Sequence, residues 1–342
     1  MPLIGAKGSL RYTMNTPVKA LLSLLVGLSV LSTAAHATAA PGDEPARQAY
    51  GDAWWTGPLL ASGASALPHG RYLIEPYLYD VILQGAYDSA GTRHSLARED
   101  GLRSLTYVLY GLTDTTTVGF LPRFGYNAGG HGTHSSGPQV GDLTLHAHHQ
   151  FLKFREGHWM PALSVVLEQT LPTGKYDRLG ATPGDGLGGG VFATSLALYM
   201  QRYFWAPNGR IVRTRLDVAY TRSGATHLED VSVYGTASGF RGSARPGDSI
   251  NVDSSWEYSA TRSWVLALDV NYQRDASTQV LGRYDATPVE SHSGIATTWS
   301  LAPAVEYSWS ANMGVIAGAK VVVAGRNTGA VVVPAVAVNM VL

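Results

Sequence analysis

The chain has 342 residues, with 25 basic and 25 acidic side chains for a formal net charge of zero, and no cysteine. That balance lacks the basic surface nucleic acid would need, and the missing thiols exclude disulfides, thiol catalysis, lipoprotein attachment and cysteine-ligated metal. Only 15% of the residues are charged and 39 are glycine, poor in charge for a soluble protein but suited to a surface that meets lipid.

At the N-terminus, Lys19 precedes an apolar run from Ala20 to Val30, and Ala35-His36-Ala37 is a small-x-small cleavage site. Residues 1–37 therefore read as an export signal. Ala37-Thr38-Ala39 is an equally good site, and Met14 is an alternative start. The run falls short of the roughly 20 residues a spanning helix needs, and no later run is longer. An exported chain without a helical span is either soluble or a barrel.

Residues 38–70 show no period and hold Trp54, Trp55, Leu59 and Leu60 among Pro, Gly, Ala and Ser. Burying each large side chain is worth about 1.5–3 kcal/mol, so they need an enclosed surface. The expectation is a partial plug, with anchoring of both tryptophans in the periplasmic headgroup layer as the rival.

Alternation begins at Arg71. Its clearest stretch is Val140–Leu171, where Leu143, Leu145, Ala147 and Phe151 oppose Asp142, Thr144, His146, His148 and Gln150. A period of two marks a strand with one apolar and one polar face. Further strands are expected over 101–113, 115–126, 139–154, 158–171, 190–205, 210–222, 249–260, 263–274, 292–309, 312–324 and 330–342. Many exceed the usual soluble length of about 5–6 residues and suit the roughly 9–11 of a tilted membrane strand.

The connections alternate, long then short, to the end. Short ones lie near Asp114, Glu156, Pro207-Asn208-Gly209, Thr261-Arg262 and Ser310-Ala311. Long ones cover 82–100, 127–138, 172–189, 223–248 and 276–291, with a smaller one at 325–329. Outer-membrane barrels have this asymmetry of periplasmic turns and outside loops. The predicted fold is all-β: a transmembrane antiparallel up-and-down barrel over residues 71–342, with about twelve strands (range roughly 10–14).

Phe151, Phe154, Trp159, Tyr203, Phe204, Trp205, Trp256, Tyr258, Trp264, Tyr307 and Trp309 cluster at the short turns, as a lower interfacial girdle would. Tyr126, Tyr220, Tyr272 and Trp299 are candidates for an upper one. Against the closed barrel stand Pro76, Pro122, Pro161, Pro303 and Pro334 inside expected strands. Bulges or missing ladder bonds are expected there, above all at Pro303 and Pro334.

The polar faces offer candidate lumen-lining residues: Glu75, Asp142, Thr144, His146, His148 and Glu168 in the first half of the chain. Arg213, Arg215, Asp217, Asp253, Glu257, Asp269, Glu306 and Lys320 follow in the second, with Asn251 and Asn271. Unpaired burial of such charges costs several kcal/mol each, so salt-bridge networks are expected. Acids outnumber bases, which would give an open pore a weak cation preference.

His146 and His148 share a face and, with Asp142, suggest Zn or Ni. His131 and His134 lie in the preceding loop, but no clear third ligand exists, and polar lining is the preferred reading. Gly184-x-Gly186-x-x-Gly189 matches a dinucleotide fingerprint, yet a strand follows where a helix is required. Leu171-Pro172-Thr173-Gly174 lacks the rest of a sortase signal. No catalytic set, cofactor or metal site is marked out.

The stretches WWTGPLLASGASALPHGRYLIEPYLYD (54–80), GDLTLHAHHQF (141–151) and LPTGKYD (171–177) resemble the family of Gram-negative outer-membrane proteins named after the MetA-pathway of phenol degradation. The resemblance spans most of the mature chain. It implies an outer-membrane barrel that transports aromatic or other hydrophobic compounds, and it brings no catalytic or ligand residues. One departure is the end, Val338-Asn339-Met340-Val341-Leu342, where barrels usually carry a final aromatic for the assembly machinery. The functional expectation is passive uptake of a small hydrophobic or aromatic solute across the outer membrane. The expected partners are outer-membrane lipid and the barrel assembly machinery. A non-conducting structural or binding barrel is the first alternative, and an outer-membrane hydrolase the second.

Overall fold

The structure is a computed structural model that describes residues 46–129 and 134–342. The expected export signal at 1–37, the start of the irregular segment at 38–45 and His131 lie outside the described residues.

In chain order, β1 (Tyr72–Asp80) continues as β2 (Ile82–Tyr87), and the chain returns through β3 (Arg93–Glu99) and β4 (Gly101–Thr113). β5 (Thr116–Leu121) and β6 (Arg123–Asn127) form one line broken at Pro122, followed by β7 (Gln139–Val140), β8 (Leu143–Leu152) and β9 (Ala162–Leu171). Then come β10 (Ala193–Trp205), β11 (Ile211–Ser223), β12 (Thr226–Glu229), β13 (Phe240–Arg245), β14 (Ser249–Ser259) and β15 (Trp264–Asp275). β16 (Gln279–Tyr284), β17 (Thr287–His292), β18 (Ala296–Ser310), β19 (Met313–Arg326) and β20 (Thr328–Val341) complete the set.

Twelve of these lines make one closed antiparallel wall: β1, β4, β5, β8, β9, β10, β11, β14, β15, β18, β19, β20 and back to β1. The seam is held by pairs such as Tyr77↔Ala337 and by reciprocal bonds between Tyr72 and Leu342, at 3.1 and 2.8 Å. Closure removes every edge, which a bilayer demands because it offers no water to stray backbone groups. Alternation sorts the faces. In β8, Thr144 is 1% exposed and His146 7%, whereas Leu145 is 44% exposed. The outward apolar side chains are those that lipid covers.

Three prolines sit where the ladder is already interrupted. β1 and β20 skip from Ile74↔Met340 to Tyr77↔Ala337 at Pro76, and β18 and β19 skip from Leu301↔Val321 to Ala304↔Gly318 at Pro303. Pro334 faces the gap between Tyr79↔Ala335 and Ile82↔Val332, where β1 gives way to β2. A missing N–H costs nothing where no acceptor faces it. Pro122 splits its strand in two, and Pro161 lies just before β9, which begins at Ala162 and not at 158 as expected.

The outside connections hold more structure than the sequence suggested. The expected loop at 82–100 is a hairpin extension, β2 with β3, turning at residues 88–92. The loops at 223–248 and 276–291 supply a separate four-stranded sheet in the order β12-β13-β16-β17. Leu228, Phe240, Ala244 and Val280 form its core. Gly242 and Gly282 face each other across it, and a Cβ on Gly282 would lie 2.4 Å from the Phe240 ring. These paired glycines, covered by one phenylalanine, interrupt the alternation that would have announced the strands.

The lower aromatic belt is real but divided. Phe151, Trp159, Trp264 and Trp309 point outward. Phe154 and Tyr203 instead pack on Tyr50, with ring centroids 5.8 and 5.2 Å from it. Burial, with Glu156 nearby, pushes the Tyr50 hydroxyl up to about 12. These two rings cover the N-terminal segment and not the lipid.

Candidate functional site

The segment before β1 does not run along the wall's outside. Its backbone is taken up, residue by residue, by polar side chains on the wall's inward face. It enters at a short turn, where Trp54 N–H bonds the Arg262 carbonyl at 2.8 Å and the indole lies 4.5 Å from the Arg262 guanidinium. Glu306 then accepts the N–H groups of Thr56 (2.8 Å) and Gly57 (3.0 Å). Asp269 accepts those of Leu59 (3.1 Å) and Ala61 (3.2 Å), and Asp217 that of Ser62 (2.6 Å).

The return half uses neutral groups. Ser164 donates to the Ala64 carbonyl, Gln150 accepts Ala66 N–H at 3.2 Å and Thr117 accepts Leu67 N–H at 2.8 Å. His69 N–H reaches Asp114 at 3.0 Å, back at a short turn. The segment thus rises from one short turn to mid-strand and descends to another.

An irregular backbone inside a barrel must find acceptors for its N–H groups, which is why the inward face carries so many carboxylates. Two bases clasp a fourth acid, Glu257. Arg213 donates through Nε to Glu257 at 2.7 Å and also through Nη2, and Arg215 Nε adds a bond of 3.1 Å. Arg215 Nη1 also donates to the Ala61 carbonyl at 2.9 Å. Trp55 lies 4.3 Å from the Arg213 guanidinium, a stacked cation–π arrangement. Gly57, at φ +112°, packs against the Arg215 fork, and no other residue adopts that backbone easily.

Apolar contacts complete the docking. Leu59 is seated among Ala267, Ala302, Ala304, Ile316 and Ala337, with Leu60 beside it. These alanines are inward positions kept small, leaving room for a side chain the wall does not own.

Opposite the carboxylates, the segment leaves a cavity of about 380 Å³. Leu73, Tyr77, Tyr107, Leu109 and Tyr199 line it, together with the polar groups of Glu75, His146, His148, Gln201, Arg213, Arg215 and Asn339. His146 Nδ1 is bonded to Glu168 at 3.0 Å, and Asn339 donates to Glu75 at 3.1 Å.

The expected lumen residues therefore separate into groups. Arg213, Arg215, Asp217, Glu257, Asp269 and Glu306 gather at the rising half of the segment. Thr144, His146, His148, Glu168 and Glu75 belong to the opposite wall, where Thr144 bonds Thr170 at 3.1 Å. Asp253 accepts from Asn271 at 3.1 Å, and Asn271 also bonds Asn251 at 2.8 Å; Lys320 is half-buried. Asp142 departs from the expectation. It accepts Gly174 N–H at 2.9 Å and Gly189 N–H at 2.7 Å and so staples the 172–189 loop. That leaves it unavailable to the two histidines, and among the described residues no group of three His, Asp or Glu is placed to hold a metal.

Gln150 stands on a polar face in the sequence but is not among the expected lumen residues, and neither are Thr117 and Ser164. All are inward positions of alternating strands, a signal that was legible but ranked below charge. A second carboxylate outside the barrel works like Asp142: Asp185 accepts Ser136 N–H at 2.7 Å and the Thr182 hydroxyl at 2.9 Å. Those hydrogen bonds, the Ser136 N–H foremost, hold it below the usual carboxylate range.

This wall, seamless and apolar outside, defines the chain as a transmembrane β-barrel of the outer-membrane type. Its fold is similar to that of an outer-membrane channel from Pseudomonas putida F1, with a TM-score of 0.62 and 18% identity over 82% of this chain and 98% of that one. The translocator domain of the autotransporter NalP from Neisseria meningitidis aligns over 95% and 97% of the two chains at a TM-score of 0.41 and 12% identity. The Pseudomonas putida toluene transporter TodX aligns over 87% and 100% at 0.34 and 11%. Likeness at these last two scores carries nothing about this chain. No family model matches it, and no curated relative does.

Proposed function

We propose that the protein is a passive channel in a Gram-negative outer membrane, reached through the export signal, and that it belongs with the MetA-pathway family its sequence resembles. Small hydrophobic or aromatic molecules pass through the cavity beside residues 54–69, which act as a partial plug. The cavity carries this reading. Its volume lies within the roughly 300–1,000 Å³ of small-molecule sites, and tyrosine and leucine side chains share its walls with Glu75, His146, His148, Gln201, Arg213, Arg215 and Asn339. The bonds to Glu306, Asp269 and Asp217 support the plug role, because three inward side chains of the wall are spent on holding this segment inside. Passage of this kind needs no cofactor and makes no bond.

The test is flux. Vesicles whose outer leaflet is lipopolysaccharide, a poor solvent for hydrophobic solutes, are loaded with a labelled monoaromatic alcohol or with a pentose. Protein should speed escape of the aromatic and leave the pentose nearly unaffected. Equal escape of the aromatic with and without protein would contradict the reading.

A further inference from the structure

The outward face carries a second arrangement, independent of what the lumen transports. On β15, the outward positions run Leu266, Leu268, Val270, Tyr272 and then Arg274. Tyr272 packs against Trp299 of β18 with centroids 4.7 Å apart and the rings tilted by 44°, an aromatic pair at the depth where such rings meet headgroups. One step further out, Arg274 pairs with Thr297, and Thr297 pairs with Arg326 of β19. The two arginines therefore stand in one lateral row, two strand spacings or roughly 9–10 Å apart. Arg222 of β11 lies beside this row, two residues beyond the outward Tyr220, which shares a line with Ile250 and Arg274.

Ion pairs satisfy Arg98, Arg178, Arg213 and Arg215. Among the described residues, Arg222, Arg274 and Arg326 have no carboxylate within the 4.0 Å of an ion pair. The nearby Asp248 is engaged by the Tyr220 hydroxyl at 2.5 Å. Three cations left unpaired just above a lipid-facing aromatic pair, at the end that bears the long loops, ask for an anion supplied by the membrane. Guanidinium groups bind phosphate by paired, charge-assisted hydrogen bonds.

We infer that the row of Arg274 and Arg326, with Arg222 flanking it, is a binding site for the phosphate groups of the outer leaflet's phosphorylated glycolipid, lipid A. The acyl chains lie along Leu266, Leu268 and Val305, and the glucosamine backbone rests on Tyr272 and Trp299. The bound lipid covers the side of the barrel that runs from β11 through β14, β15 and β18 to β19.

Binding of solubilised diphosphorylated lipid A to the detergent-purified barrel, read by native mass spectrometry, tests the site. Arg274→Gln with Arg326→Gln should weaken binding by about tenfold per arginine, the usual worth of a charged hydrogen bond. The control Arg241→Gln with Arg283→Gln alters an exposed pair on the outside sheet and should leave binding as it was. Dephosphorylated lipid A should bind the unaltered protein poorly, and millimolar inorganic phosphate should not displace the lipid. Unchanged binding by the first pair, or equal loss in the control, overturns the site. Displacement by inorganic phosphate would make it a free-anion site and overturn the lipid assignment. If the glutamine variants lose heat-modifiable migration, the two lipids compared on the unaltered protein decide: equal binding overturns the proposal.

Discussion

The two halves of the segment inside the barrel are held by different chemistry. From Thr56 to Ser62 the acceptors are the carboxylates of Glu306, Asp269 and Asp217, and Leu59 fills an alanine-lined seat. From Ala64 to Leu67 the partners are a serine, a glutamine and a threonine, with no comparable apolar seat. The rising half makes five such bonds against three in the descending half, and only the rising half adds an apolar seat, where burying Leu59 is worth about 1.5–3 kcal/mol. The rising half is therefore an anchor, and the descending half is the part that can give way. Any widening of the cavity should begin there, without release of the whole segment.

The largest effect on this contrast should come from Leu59→Ala, which empties the seat and costs docking roughly 2–5 kcal/mol by the usual toll of core truncation. Protease cleavage between Trp54 and Pro68 in the folded barrel measures it, and cleavage no faster than in the parent would show that the seat is not what holds the segment. Next comes Asp269→Ala, which strands the N–H groups of Leu59 and Ala61 and should weaken docking by about 3 kcal/mol. Thr117→Val removes one neutral acceptor, for about 1 kcal/mol. Reversal of that order would erase the distinction between the halves.

Labelling gives a finer comparison. The chain has no cysteine, so an introduced thiol reports alone. Ser62 and Ala66 are both half-buried, yet Ala66→Cys should react with a maleimide severalfold faster than Ser62→Cys because its half opens more readily. Equal rates would mean that the segment moves as one body.

The outside loops repeat the anchoring device where protons can reach it. Asp185 has a depressed pKa when folded, so its contribution is full above its unfolded value, near 3.9, and is lost as pH falls through the lower folded value. Amide protection at 134–139 and 172–189, taken relative to the intrinsic exchange rate at each pH, should fall at acid pH below that range, and Asp185→Asn should show the loss already at neutral pH. Protection in these loops that does not change with pH in the unaltered protein would remove Asp185 from this role.

How much of this was legible follows from what alternation can encode. Leu145 against Thr144, repeated strand after strand, announced a wall with two faces and hence the barrel and its twelve lines. Trp54, Trp55, Leu59 and Leu60 announced a segment in need of cover. The partners of that segment were not legible, because Glu306, Asp269 and Asp217 lie on strands far apart in sequence that only closure brings together. Asp142 misled for a related reason: it looks like one more inward carboxylate, but its position at the end of the strand gives it to a loop. The outside sheet was hidden by Gly242 and Gly282, which pack closely and break the pattern that reveals strands.

The central claim is that residues 54–69 partly occlude a conducting barrel, and single-channel recording tests it most directly. A chain lacking residues 47–67 keeps all twelve wall strands and should still migrate differently before and after heating. In a planar bilayer it should conduct several times more current than the full chain, since the lumen would then be obstructed by side chains alone. A correctly folded deletion with the conductance of the parent would contradict the account and return the tryptophans to the membrane-anchor role.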